Sequence, residues 1–280
     1  MRSALARGLV LLLLFCGVSY MVGCNRFFYY PTSREYRAPS DLDVPVEEVR
    51  FRSEDGTELH GWLLKPGEDR AAVGTVVHFH GNARNLTAHV GLVDWLAGRG
   101  FNVFLFDYRG YGKSGGRPKR SGVIADSRAA LAYIRGREDI DGDRLLVLGQ
   151  SLGGACALAA LGEGSTEGVR AVAIDSSFLS YRNVANSVLG GTFLTKPLVW
   201  LTVTSDHDPE DSLAELEGVP LLFIHGDADG LVRISNGLEL FEAAPEPKRF
   251  LKVPGARHLH AIEGPTKDQL VKFFSEALED

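Results

Sequence analysis

The chain is poor in cysteine, with three residues in 280, and poor in methionine, with two. Cys16 and Cys24 fall in or at the end of an N-terminal apolar stretch, which leaves Cys156 alone in the body. No pair remains there for a structural disulfide, and no C-x-x-C spacing suggests a metal site. No run of basic residues occurs in the body, and 30 Lys and Arg against 36 Asp and Glu give a net charge of -6. That balance argues against a nucleic-acid surface. No internal repeat and no second apolar core are visible, so the body is expected to be one domain. Hydrophobic residues make up 45% of the chain, enough for a substantial core.

Residues 1–24 are expected to lie outside the fold. Arg2 and Arg7 precede an almost unbroken apolar stretch from Gly8 to Gly23. It is short for a membrane span and long for the core of a secretion signal. The positive flank places the body across the membrane from the cytoplasm. Gly23 before Cys24 resembles a lipoprotein signal, which would make Cys24 a lipidated first residue; Met21 departs from that pattern, and an uncleaved anchor or an ordinary cleaved signal are the alternatives. Phe27 to Tyr30 fits an aromatic belt or a packed strand. Residues 25–44, with Pro31 and Pro39, look like a linker, and residues 45–280 form the domain.

Val46–Arg52 and Glu58–Leu64 alternate apolar and polar around Asp55-Gly56, a hairpin signal. Strands are then expected at 73–79, 101–106, 144–148, 171–174, 221–224 and 250–253. Helices are expected at 85–96, after Ser121 as N-cap, after Ser151, at 234–241 and from Pro265. The alternation predicts a mostly parallel sheet with helices on both faces and an antiparallel opening.

One stretch organises the chemistry. Arg144–Leu148 is an apolar strand, Ala155–Leu161 an Ala/Leu-rich helix, and between them stands Gly149-Gln150-Ser151-Leu152-Gly153. G-x-S-x-G in a strand–turn–helix context exposes a serine at a strained turn beside a helix N-terminus. A serine hydroxyl needs a base, an orienting acid and a site for the developing oxyanion. Asp227, Asp229 and Asp175 follow strands and are candidates for the acid; Asp126, Asp141 and Asp143 read as solvated or capping. His258 and His260 follow the last strand and are candidates for the base. The backbone N–H groups of Leu152 and of Asn82, after Gly81, are expected to meet at the attacked oxygen. His78, His80 and His225 read as structural. Gly112-Lys113-Ser114 imitates the end of a phosphate-binding loop, but the first glycine of such a loop would fall at Asp107, whose carboxylate would repel phosphate.

With these residues in order the chain resembles serine hydrolases of the α/β-hydrolase superfamily, in particular the membrane-anchored depalmitoylase-like and serine aminopeptidase-like groups. His80-Gly81-Asn82-Ala83-Arg84-Asn85, Phe106–Gly115, Gly149–Gly154 and His225-Gly226-Asp227-Ala228-Asp229 carry the likeness, with Gly255–His258. The resemblance implies an α/β-hydrolase fold with a short lid at about 176–210. It puts the acid on Asp229 and the base on His258, and Asp107 and Arg109 in one buried network. Arg257 stands where the family often has Gly. The resemblance further implies an acyl-enzyme mechanism on an ester or thioester, with no metal or cofactor. A small or acylated substrate, a monomer, attachment to a membrane through the N-terminus and no nucleic-acid partner complete the expectation. A peptidase or amidase on the same residues, or a non-catalytic binding protein that kept the fold, are the alternatives.

Overall fold

Short branched apolar runs become strands in this chain because both faces of the sheet are covered. In β7 (Leu145–Gln150) every residue is buried. Leu145 and Val147 enter one core and Leu146 and Leu148 the other, the alternation a pleated strand imposes. The computed structural model describes residues 28–67, 71–193 and 195–279. The apolar N-terminal stretch, Cys24, Phe27 and Leu194 lie outside the described residues.

Eight strands form one sheet in the order β10-β9-β8-β7-β4-β6-β3-β2. They are β2 (Val46–Arg52), β3 (Glu58–Leu64), β4 (Thr75–Phe79), β6 (Asn102–Asp107), β7, β8 (Val169–Asp175), β9 (Leu221–Gly226) and β10 (Lys248–Val253). β3 runs antiparallel to both β2 and β6, and the remaining pairings are parallel. The expected antiparallel opening is therefore present. Helices α3 (Arg120–Arg135), α4 (Leu152–Glu163) and α7 (Ile234–Ala243) cover one face; α1 (Leu86–His89), α2 (Trp95–Gly98) and α8 (Pro265–Glu279) cover the other. From β4 the chain passes to β6 on one side and later to β7 on the other. The loops after β4 and β7 thus open at a topological switch point, where a parallel sheet offers a crevice.

Three elements differ from the sequence expectation. The helix expected over 85–96 breaks into α1, a 3₁₀ turn at Val90–Leu92, and α2. Gly91 has low helix propensity and lies under the Arg37 guanidinium, while the Trp95 indole N–H donates to the Leu92 carbonyl at 2.8 Å. Helix α3 starts at Arg120 rather than after an N-cap at Ser121, and no side chain caps it. Arg120 is buried there, and its Nη1 donates to the Thr204 and Asp206 carbonyls at 2.8 and 3.0 Å. Tertiary bonds, not a local cap, fix that helix start.

The third difference is the expected linker, whose described part, 28–44, is docked on the domain. β1 (Tyr30–Pro31) pairs in parallel with β5 (Ala83–Arg84). The Asn85 side-chain amide donates to the Thr32 and Arg34 carbonyls, each at 2.8 Å. Tyr29 is buried and Phe28 packs edge-on against Tyr181 with ring centres 5.0 Å apart. Of the two readings of the aromatic cluster, Phe28 and Tyr29 take the packed one.

Candidate active site

Ser151 sits between β7 and α4 with φ +54° and ψ −120°. A non-glycine residue there is strained, and it persists only where its surroundings over-determine it. Here the Ser151 N–H donates to the Asp175 carbonyl at 2.8 Å. The Ser151 carbonyl accepts from Ser177 Oγ at 2.8 Å and from the Gly154 N–H at 3.0 Å. The glycines on either side allow the approach. A Cβ on Gly153 would stand 2.0 Å from the Phe79 carbonyl oxygen, and one on Gly149 would stand 2.6 Å from the Gly154 Cα.

The loop after β10 carries His258 to this serine. In the neutral ring Nδ1–H donates to Asp229 Oδ2 at 2.7 Å, which leaves Nε2 to accept from the Ser151 hydroxyl at 3.1 Å. Asp229 lies in the turn after β9, and its Oδ1 accepts from the Leu231 and Val232 N–H groups at 2.8 and 2.9 Å. Burial alone would raise the Asp229 carboxyl. The hydrogen bond and charge of His258 and the two turn N–H groups outweigh it and hold the carboxyl below the ordinary carboxylate range.

The other candidates are held elsewhere. Asp175 is buried and accepts from Gln150 Nε2 at 2.9 Å and Ser176 Oγ at 2.8 Å. Burial raises its carboxyl. Asp227 accepts from the Gly255 N–H at 2.7 Å and joins the β9 and β10 loops. His260 is exposed and pairs with Glu263. His78 bonds Gln150 Oε1 at 2.9 Å, and burial pushes its pKa down to about 3. His80 donates through Nδ1 to the Gly81 carbonyl at 2.7 Å, and His225 through Nε2 to Val232 at 2.8 Å. Each of the three histidines bonds a neighbouring turn or strand end.

Asp107 and Arg109 do not share a network. Asp107 accepts from the Leu86 N–H at 2.7 Å and faces His60 and His80. Arg109 instead pairs with Asp126 at 2.8 Å and with Asp55 at 2.8 Å. Asp126, read from sequence as solvated or capping, is fully buried beneath that guanidinium.

Asn82 and Leu152 line the same cavity as Ser151, and neither backbone N–H donates to another described residue. The carbonyl of the same Asn82 is held by the Tyr111 hydroxyl at 2.6 Å and the Tyr30 N–H at 3.3 Å. The cavity measures about 500 Å³ and is walled mostly by apolar groups. Phe28 and Phe178 are among its lining residues. Helices α5 (Tyr181–Val188) and α6 (Thr195–Thr202), from the expected lid, add Val184, Val188, Leu198 and Val199. Sequence reasoning missed Phe28, Tyr30 and Tyr111 here. Only the aromatic density around Tyr29 hinted at the first two.

A mostly parallel sheet with a serine at the elbow after its central strand defines an α/β-hydrolase. The family model described as serine aminopeptidase, S33, matches residues 70–217, over half the chain, and the chain belongs to that family. The match includes Ser151 and ends before Asp229 and His258. The chain is 39% identical over 258 residues to the uncharacterized protein YfhR of Escherichia coli (strain K12), covering 90% of this chain and 87% of that one. It is 32% identical over 262 residues to the α/β-hydrolase domain-containing protein WAV2 of Arabidopsis thaliana, covering 87% and 84%. The structure of the Pyrococcus furiosus esterase Pf2001 superposes with a TM-score of 0.72 at 22% identity, over 90% of this chain and 98% of that one, a likeness of fold.

Proposed function

We propose that the protein is a serine hydrolase that cleaves carboxylic esters or thioesters with an apolar acyl group. The observation that carries this reading is the line Ser151–His258–Asp229 opening into an apolar cavity that Asn82 and Leu152 also line. In the proposed reaction His258 Nε2 takes the Ser151 proton as Oγ bonds to the acyl carbon. Asp229 holds the Nδ1 proton and stabilises the imidazolium. The N–H groups of Asn82 and Leu152 and the α4 N-terminus stabilise the oxyanion. The imidazolium returns the proton to the leaving alkoxide or thiolate as the bond to the acyl carbon breaks. Water, deprotonated by His258, then releases the acid and restores Ser151. The description of Pf2001 as an esterase agrees with this chemistry.

The family description keeps an aminopeptidase as a second reading. That activity needs a group to hold the substrate ammonium, and the described residues lining the cavity include no Asp or Glu. p-Nitrophenyl esters of increasing chain length, run beside aminoacyl anilides, separate the two. Ser151→Ala is expected to lower ester turnover by roughly 10⁴–10⁶-fold with folding intact and to abolish fluorophosphonate labelling. Undiminished turnover in that variant would refute the assignment.

A further inference from the structure

The lid is apolar on the outside as well as the inside. Phe193 is 83% exposed and Trp200 65%, and Leu201, Val188, Leu189 and Leu198 are exposed beside them. Val188, Leu189 and Leu198 also line the cavity, so the outer apolar face runs continuously into its mouth. A face of this extent on a chain in water marks a contact surface. From residue 176 to residue 205 the sequence contains no Asp or Glu, although the whole chain is acidic; Arg182 and Lys196 are the charged residues in that span. Arg182 lies over the Trp200 ring, 5.6 Å from its centre.

The position of the chain's entry supplies the occupant. Phe28 and Tyr30 line the cavity, and Phe28 touches the lid at Tyr181. The apolar stretch Gly8–Gly23 ends five residues before Phe28. Five residues of chain span at most about 17 Å, so whatever holds that stretch lies within that reach of the lid. Apolar and aromatic side chains with a few cations and no anions match the interface of a bilayer containing acidic lipids.

We propose that the outer face of the lid docks on an anionic phospholipid bilayer entered by the segment 8–23, so that the cavity mouth opens onto lipid. An acyl chain then enters the cavity from the membrane; this last step rests on the hydrolase reading, and the docking does not.

The test uses the full chain reconstituted in vesicles of phosphatidylcholine and phosphatidylserine with brominated acyl chains. Trp62 is buried in the core, whereas Trp200 faces outward. Tryptophan emission is expected to be quenched by the brominated lipid, and Trp200→Phe is expected to remove the quenched component. Phe193→Ser with Leu201→Ser, which leaves the probe and the cavity lining in place, is expected to reduce the quenching, and Ser151→Ala to leave it unchanged. The double variant should hydrolyse soluble p-nitrophenyl acetate like the parent but a vesicle-borne long-chain ester at least about tenfold more slowly. Absence of Trp200 quenching in the parent overturns the proposal. So does a vesicle-independent dimer abolished by Phe193→Ser, which would give the face to a second copy. Quenching with no hydrolysis of any ester would overturn the hydrolase reading and leave the docking standing.

Discussion

Replacing Asp229 with Asn separates charge and orientation from mere occupancy of space. Asp229 Oδ1 is fixed by two backbone donors, Leu231 and Val232, while Oδ2 faces His258. An amide keeps its oxygen on the two donors, so its NH₂ must point at His258 Nδ1. That nitrogen then accepts, the ring proton moves to Nε2, and Nε2 can no longer take the serine proton. Turning the amide over sacrifices two backbone bonds, about 2–3 kcal/mol, and the charge-assisted bond to the imidazolium is lost besides, about 1.5–3 kcal/mol. Together these give roughly 4–6 kcal/mol, a fall of about 10³–10⁴-fold in turnover. The turn bonds survive, so the variant should still fold, with a midpoint of thermal unfolding below the parent's at neutral pH by what the paired carboxylate contributes. Stability from the depressed Asp229 carboxyl is present above the ordinary carboxylate range and lost as pH falls through its lower folded value, so the parent alone should show that acid loss. The assay is steady-state hydrolysis of p-nitrophenyl butyrate beside the rate of fluorophosphonate labelling. Turnover within about tenfold of the parent, in a folded variant, would show that Asp229 does not set the ring's tautomer.

Two further perturbations test the frame around the site. Burial raises the pKa of Asp208, whose carboxylate accepts the Tyr181 N–H at the start of α5, to about 6. Its contribution to stability is present below the unfolded value and lost as pH rises through about 6. Asp208→Asn keeps the acceptor without the charge, so its melting temperature relative to the parent should climb between pH 4 and 7; a difference independent of pH refutes the assignment. Gly153→Ala puts a methyl 2.0 Å from a main-chain oxygen. It should cost about 1–3 kcal/mol in urea unfolding and most of the ester turnover. Gly98→Ala, with open space around the new methyl, is the control and should be tolerated. Full activity in Gly153→Ala would remove the case that strand and helix must approach so closely.

The sheet was legible because β4, β6, β7, β8 and β9 are short apolar runs bounded by turns, a pattern few other structures satisfy. Ser151, Asp229 and His258 were legible because each follows such a run, and the turn sequences around them resemble a known family's. What escaped is tertiary. Nothing local says that Arg120 starts a helix by reaching for carbonyls more than eighty residues away. The resemblance put Arg109 in one network with Asp107, whereas its carboxylate partner Asp126 comes from the next helix, which no local pattern reveals. The stretch 28–44 has no apolar periodicity, and its docking depends on main-chain and amide bonds that composition does not reveal.

That docked stretch bears on where the chain can be shortened for study. Tyr30 donates its N–H to the carbonyl of Asn82, the residue proposed to hold the oxyanion, and with Phe28 it forms part of the cavity wall. A shortened form beginning at Thr32 would lose the buried Tyr29 from one core and melt below the parent, but it would keep every strand of the main sheet. It would nonetheless have lost one brace of Asn82 and two aromatic walls, so an inactive soluble fragment of that kind would report a missing doorpost, not a missing chemistry.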